Sequence, residues 1–374
     1  MKFLPLFLLL TVAGSAQQKK LYNLVVGTYT NSGKSEGIYV YQFDPKDGSA
    51  VLKNKATGIT NPSFLTISPS GKFVYSTNEA SGVKGAVTAF AFDGTTGALS
   101  QLNAQQTGGD GPCHISVTSD NTLAFAANYG GGSLSAVRIN KNGALDSNVQ
   151  VIQNSGSSVN RSRQDKPHVH AAVLSPDEKY LLSPDLGTDR INVYNVNRQT
   201  GKDILTPAPT PFVAIKGGSG PRHLAYHPNG KFLYLVQEMD GAVSFYAYAN
   251  GKLNLKQYIS LVAKGDTGRI GAADIHVSPD GQFLYASNRG DANKIAIFKL
   301  DKSGNMKLVG HQSTLGNTPR NFAIDPTGKF LLVGNQGSDN IVVFARNKKT
   351  GLLTPTGLKI EVGSPSCLKF VAVP

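Results

Sequence analysis

PSFLTISPSGKFVYSTNE, residues 62–79, sets two short runs of alternating apolar and polar residues on either side of Ser-Pro-Ser-Gly. Proline presets φ in such a turn and glycine accepts a positive φ, so the stretch reads as two antiparallel strands around a tight turn. The pattern returns without a gap as PRHLAYHPNGKFLYLVQE (221–238), AADIHVSPDGQFLYASNR (272–289) and PRNFAIDPTGKFLLVGNQ (319–336). Degenerate copies are PCHISVTSDNTLAFAANY (112–129) and VHAAVLSPDEKYLLSPDL (169–186), and a shortened one, PSCLKFVAV, runs over 365–373.

A second turn recurs farther along each unit, at Asp47-Gly48, Thr96-Gly97, Asn142-Gly143, Thr200-Gly201, Asn250-Gly251, Ser303-Gly304 and Thr350-Gly351. Two hairpins per unit make a four-stranded antiparallel sheet, the blade of a propeller. The shortened copy lacks its second strand, and LYNLVVGTYT (21–30) at the other end of the chain supplies one. The expectation is an all-β, seven-bladed β-propeller whose N-terminal strand pairs in the last blade, removing two open sheet edges. No amphipathic helix separates the strands, which excludes a barrel of alternating strands and helices, and residues 17–374 read as one propeller domain.

Register then locates a site. The start of each first strand and the end of each second strand lie at one mouth of the central channel. At the first of these places stand Ser63, Cys113, His170, Arg222, Ala273, Arg320 and Ser366. The second strands end at Asn78, Asn128, Asp185, Gln237, Asn288 and Asn335, followed by Glu79, Tyr129, Leu186, Glu238, Arg289 and Gln336. Scaffold positions repeat, as the turn glycines do; varied polar residues at one equivalent place point to a ligand site. The Asn/Asp/Gln ring reads more readily as strand-end capping. His168-x-His170 has no third ligand near in sequence, so no metal and no cofactor are assigned, and His227 reads as a turn residue.

PHVHAAVLSPDEKYLLSPDLGTDRINVY (167–194), GPRHLAYHPNGKFLYLVQE (220–238), AADIHVSPDGQFLYASNRG (272–290) and TPRNFAIDPTGKFLLVGNQGSDNIVVF (318–344) closely resemble the lactonase family of seven-bladed propellers, which includes propeller-type 6-phosphogluconolactonases and carboxymuconate cycloisomerases. The resemblance spans residues 21–374 and implies a metal-free site of His170, Arg222, Glu238, Arg289 and Arg320 at one mouth. His170, Arg222 and Glu238 are the catalytic candidates. Arg320, Arg289, His223, Asp274, His276, Asn321, Asn128 and Tyr129 are the substrate-binding candidates. Asp274 stands where the family often carries the longer glutamate.

In that reading His170 or Glu238 activates water, Arg222 stabilises the oxyanion and Arg289 and Arg320 hold an anionic group. Glu238→Gln is expected to lower turnover and leave the fold intact, the carboxylate being read as a mouth residue. No nucleophile elbow is present, so no acyl-enzyme is implied. The rival readings are a carboxymuconate cycloisomerase-like enzyme and a non-catalytic binding or cell-surface propeller. Tyr285-Ala286-Ser287-Asn288 and Phe125-Ala126-Ala127-Asn128 resemble the YVTN-type repeats of surface proteins.

The rest of the chain bounds these readings. Its 374 residues carry a formal charge of +13, with 41 glycines, two cysteines and no tryptophan. The charge favours a small anionic partner. The lysines sit singly in turns such as Gly71-Lys72, not in a stripe, which argues against nucleic acid. Cys113 and Cys367 are too few for a disulfide framework and are expected to stay free. Lys2, the apolar run Phe3–Val12 and Gly14-Ser15-Ala16 read as a signal peptide over 1–16, cleaved after Ala16, with no lipid or membrane anchor following. The expected destination is the periplasm or the exterior.

Overall fold

The computed structural model describes residues 20–374 except 82–84 and 202. The signal-peptide reading of residues 1–16 lies outside the described residues. Seven four-stranded antiparallel sheets are arranged as blades around a channel. The first blade takes its strands from residues 65–106 and the sixth from 319–361; the seventh is ordered Pro365–Ala372, Tyr22–Thr28, Gly37–Phe43, Ala50–Thr57. No helix among the described residues is long and apolar enough to cross a membrane.

Closure follows from the burial of the N-terminal strand. Every residue from Tyr22 to Thr28 is buried, and Tyr22 pairs with Ala372, Val25 with Lys369 and Thr28 with Pro365. Leu24 and Val26 face Leu332, Ile341 and Val343 of the sixth blade, while Val25 faces Leu65 and Val74 of the first. A side chain of this kind contributes about 1.5–3 kcal/mol when fully buried, so this one strand secures the ring from both sides.

The turns obey the repeat even where the residue changes. Gly71, Gly230, Gly281 and Gly328 lie at φ between 69° and 70°, and the degenerate copies hold Asn121 at 56° and Glu178 at 52° in the same place. The outer-turn glycines also seat one blade on the next: a Cβ on Gly351 would come within 2.2 Å of the Phe283 ring.

Inner strands carry a bulge near their first residues. Pairing skips a residue between Pro112 and His114, between Pro221 and His223, and between Pro319 and Asn321, with a related shift between Ala272 and Ile275. Alternation would send neighbouring side chains to opposite faces of the blade. The extra residue bends the strand and re-aims side chains at its end, so Arg222 and His223 both reach toward the channel axis.

Candidate functional site

Nine residues enclose a cavity of about 240 Å³ at the mouth where first strands begin and second strands end. First-strand starts contribute Cys113, His170 and Arg320. The residues just past the second strands contribute Tyr29, Glu79, Tyr129, Glu238 and Arg289, and Arg163 reaches in from the connection between the second and third blades.

Glu238 organises the charges. It is 5% exposed. Its Oε2 accepts from Arg222 Nε at 3.0 Å and Arg289 Nη2 at 2.5 Å, and its Oε1 accepts from Arg163 Nη2 at 2.6 Å. Burial alone would raise its pKa, but Arg289 and Arg222, with Arg163, hold it down at about 2. Glu238 is therefore a fixed anion. Arg222, 1% exposed, donates also to the Ala273 carbonyl and, at 3.2 Å, to His223 Nε2. With its guanidinium so engaged it supports the cavity from below and does not line it. Burial, then Arg289 and Arg320, bring its pKa down to about 10.

His170 is the one imidazole among the residues that line this cavity. Its Nδ1 lies 3.7 Å from Cys113 Sγ, and its Nε2 lies 4.0 Å from Glu238 Oε2, too far for a direct hydrogen bond. Burial first, then Arg222, His223, Arg320 and Arg289, hold its pKa well below the usual imidazole value. The ring is thus neutral, with a lone pair free. Burial likewise pushes the Cys113 thiol up to about 12, so it is not a nucleophile at neutral pH.

Arg320 differs from its companions. Its guanidinium stands 5.1 Å over the Tyr29 ring, and among the described residues it donates to no acceptor. Tyr29 donates to Glu79 Oε2 at 2.7 Å, and Ser63 Oγ donates to the same oxygen. The cavity and its floor set Arg163, Arg222, Arg289 and Arg320 against Glu79 and Glu238. The excess of positive charge, with free donors on Arg320, suits an anion.

The structure does not bring all the candidates to this mouth. His223, Asp274, His276 and Asn321 line a separate cavity of about 380 Å³ at the opposite mouth, where the Ser-Pro-x-Gly turns lie. His223 and Asn321 directly follow a bulged residue and Asp274 lies within the wider bulge of its strand, which aims them the other way along the channel, while His276 lies farther down its strand. The His170 and His223 rings stand edge to face 5.4 Å apart, one toward each cavity. Asp274 accepts from His223 Nδ1 at 2.8 Å, His276 Nε2 at 2.9 Å and Asn321 Nδ2 at 2.5 Å, forming a buried layer between the two. Asn128 also leaves the candidate set: fully buried, it donates to Ser133 Oγ and Ser135 Oγ at 3.0 and 2.8 Å, a strut at the strand end. Asp185 caps a strand end, accepting from the His168 and Gly187 amides.

Four lining residues were absent from the sequence candidates. Glu79 and Cys113 stood in the register rings but were not carried forward. Tyr29 follows Thr28, which pairs with Pro365 as Gln237 pairs with Pro221; counting on from that pairing puts Tyr29 level with Glu238. Arg163 lies outside the repeat, and no register signal reaches it. A larger hollow, about 500 Å³, sits at the outer rim between the second and third blades, but its Arg138 is taken up by the Arg198 and Gln199 carbonyls. Among the described residues no three His, Cys, Asp or Glu side chains converge as a metal site would.

Known proteins share this architecture closely. A protein of Formosa agariphila named 6-phosphogluconolactonase is 40% identical over 351 residues, 93% of this chain and 99% of that one. One of Bacillus subtilis with the same name is 35% identical over 350 residues, 92% of this chain and 97% of that one. The solved structure of the Pseudomonas aeruginosa periplasmic gluconolactonase superposes with a TM-score of 0.90 at 41% identity, covering 95% of this chain and all of that one. Residues 23–370 match the family described as lactonase, 7-bladed beta-propeller. The chain belongs to that lactonase family.

Proposed function

We propose that the protein hydrolyses a sugar lactone bearing an anionic group, in the manner of a 6-phosphogluconolactonase, and that it does so outside the cytoplasm. The observation that carries this reading is a neutral His170 that shares one cavity with the guanidiniums of Arg163, Arg289 and Arg320, with Arg222 beneath them. The Pseudomonas relative is described as periplasmic, which agrees with the signal-peptide reading of residues 1–16.

His170 Nε2 accepts a proton from water as the water oxygen bonds to the lactone carbonyl carbon. Arg289 Nη2 and His170 Nε2 both neighbour Glu238 Oε2, so Arg289 is placed to receive the developing oxyanion. The ring C–O bond then breaks, the proton on His170 passes to the departing alkoxide, and a hydroxy acid leaves. Arg320, free to donate, holds the phosphate or carboxylate. Arg222 is a positioning residue under Glu238. A bound anion offsets the guanidiniums that depress the His170 pKa, so the base strengthens when substrate arrives.

The test is a pH-stat assay of the purified protein on 6-phosphogluconolactone and glucono-δ-lactone, with spontaneous hydrolysis subtracted. Acid release well above background is expected, with preference for the phosphorylated lactone. His170→Asn should cut turnover by about 10²–10⁴-fold. No release above background on either lactone moves the assignment to the non-catalytic binding propeller.

A further inference from the structure

The opposite mouth contains chemistry that lactone hydrolysis does not use. Three residues beyond the first-strand start, the inner strands line this end of the channel. Three blades place the small apolar Val173, Ala225 and Ala323 there, which is all a channel wall requires. The other four carry Thr66, Ser116, His276 and Lys369, and all four border the cavity of about 380 Å³. Varied polar residues at one equivalent place thus mark the second mouth as they mark the first.

The donors at this end lack acceptors. Lys369 Nζ stands 4.8 Å over the Phe64 ring and forms no ion pair among the described residues. His114 stacks on Phe64 with ring centroids 4.3 Å apart, and its Nδ1 accepts the Ala172 amide at 3.3 Å. That bond leaves the His114 proton on Nε2, which has no protein acceptor among the described residues. Ser116 Oγ is buried with no hydrogen-bond partner. Burial, then His223 and Lys369, hold His114 well below the usual imidazole pKa, so it is a neutral donor and Lys369 is the cation.

The carboxylates nearby are already engaged. Asp274 is bonded by His223, His276 and Asn321. Glu178, at the rim, accepts from the Ser119 amide at 2.7 Å and pairs with Arg198. Unmatched donors around one ammonium call for a single negative charge from outside. The opposing wall is Val173, Leu174, Leu224 and Ile275. A sugar acid would press hydroxyls against that wall; an apolar ring or chain would bury against it.

We propose that this mouth is a second binding site, for a small monocarboxylate with an apolar body. The cavity lies within the size range of small-molecule sites. It is separated from the first by the Arg222–His223–Asp274 layer and does not depend on the lactonase reading.

The experiment is titration of the full chain, by calorimetry and by ligand-observed NMR, with benzoate as the probe and benzamide as its neutral counterpart. Benzoate is expected to bind one to one, and benzamide and the Lys369→Met variant to bind about tenfold more weakly or worse, as the loss of a charge-assisted contact implies. Arg320→Ala should leave benzoate affinity unchanged, and Lys369→Met should leave lactone turnover unchanged. Ser116→Ala, which removes an unpartnered hydroxyl, should weaken benzoate and serves if Lys369→Met is unstable. No benzoate binding up to about 10 mM, equal binding by Lys369→Met or Ser116→Ala, or loss of binding in Arg320→Ala would each overturn the proposal.

Discussion

The two mouths of the channel come from one strand register and treat charge in opposite ways. At the first, Arg163, Arg222 and Arg289 converge on Glu238, and His170 and Arg320 fit around the result. Removing any member changes the electrostatics of the rest. At the second, Lys369 stands alone, and Asp274 is hydrogen-bonded within its own layer by two histidines and an amide. The repeat supplies equivalent positions at both ends. What separates the ends is whether charges depend on one another.

The sharpest way to break this contrast is Glu238→Gln. The sequence reading expected loss of turnover with an intact fold. The structure alters the second half, since Glu238 is buried and accepts from three guanidiniums. Removing one partner of a buried ion pair typically costs about 3–5 kcal/mol. Displacing Arg289 by even an ångström costs about 10²-fold in rate. Thermal denaturation and turnover measured on the same sample should both fall, whereas Lys369→Met at the other mouth should move neither by much. A variant with unshifted melting would show that the arginines do not need the carboxylate.

What the sequence revealed and concealed follows the same line. His170, Arg222, Glu238, Arg289, Arg320 and Tyr129 were legible because each sits in the repeat, at a place fixed by its distance from the turn proline. The closing strand was legible because LYNLVVGTYT resembles the second strands of the repeat and the shortened last copy lacks one. Arg163 was hidden because it lies in a connection with no counterpart in other blades. His223, Asp274, His276 and Asn321 were read as substrate-binding candidates of the first mouth, and they line the cavity at the other. A gapless alignment of repeats shows which positions are equivalent; it does not show a bulge, and the bulge decides the direction of the next side chain. Asp185 illustrates the opposite lesson, since it caps backbone amides at a strand end as the ring of Asn, Asp and Gln was read to do, whereas Asn128 braces two serine hydroxyls.

A smaller effect is expected in the pH dependence. In the free enzyme the His170 pKa lies well below its ordinary value because of burial and nearby guanidiniums. A depressed base is protonated only at low pH, so the acid limb of kcat/KM, which reports the free enzyme, should lie well below pH 6.5. A bound phosphate or carboxylate offsets Arg320 and its neighbours, so the acid limb of kcat should sit at higher pH. Profiles of the two parameters on one anionic lactone check this. Coincident limbs would mean that substrate charge is not felt at His170.

The smallest expected effect concerns His223, which stands between the mouths and belongs to both. Its Nδ1 donates to Asp274 and its Nε2 accepts from Arg222, so the ring must be neutral to make both bonds. Burial, then Arg222, lower its pKa from 6.5 to about 4 despite the Asp274 carboxylate. Between those two pH values the unfolded chain carries a proton that the folded chain refuses. Stability is therefore complete above about pH 6.5 and declines as pH falls toward about 4, by up to about 3 kcal/mol from this group. His170 and His114, lowered in the same direction, add to the decline, and Asp274, held well below the usual carboxylate range, extends it to lower pH. Chemical denaturation at pH 7, 5.5 and 4.5 should show this loss in the wild type and a shallower one in His223→Asn, which has nothing to titrate there. An unchanged slope in that variant would mean that His223 takes up a proton in the folded state, and that Arg222 is not held in place by its lone pair.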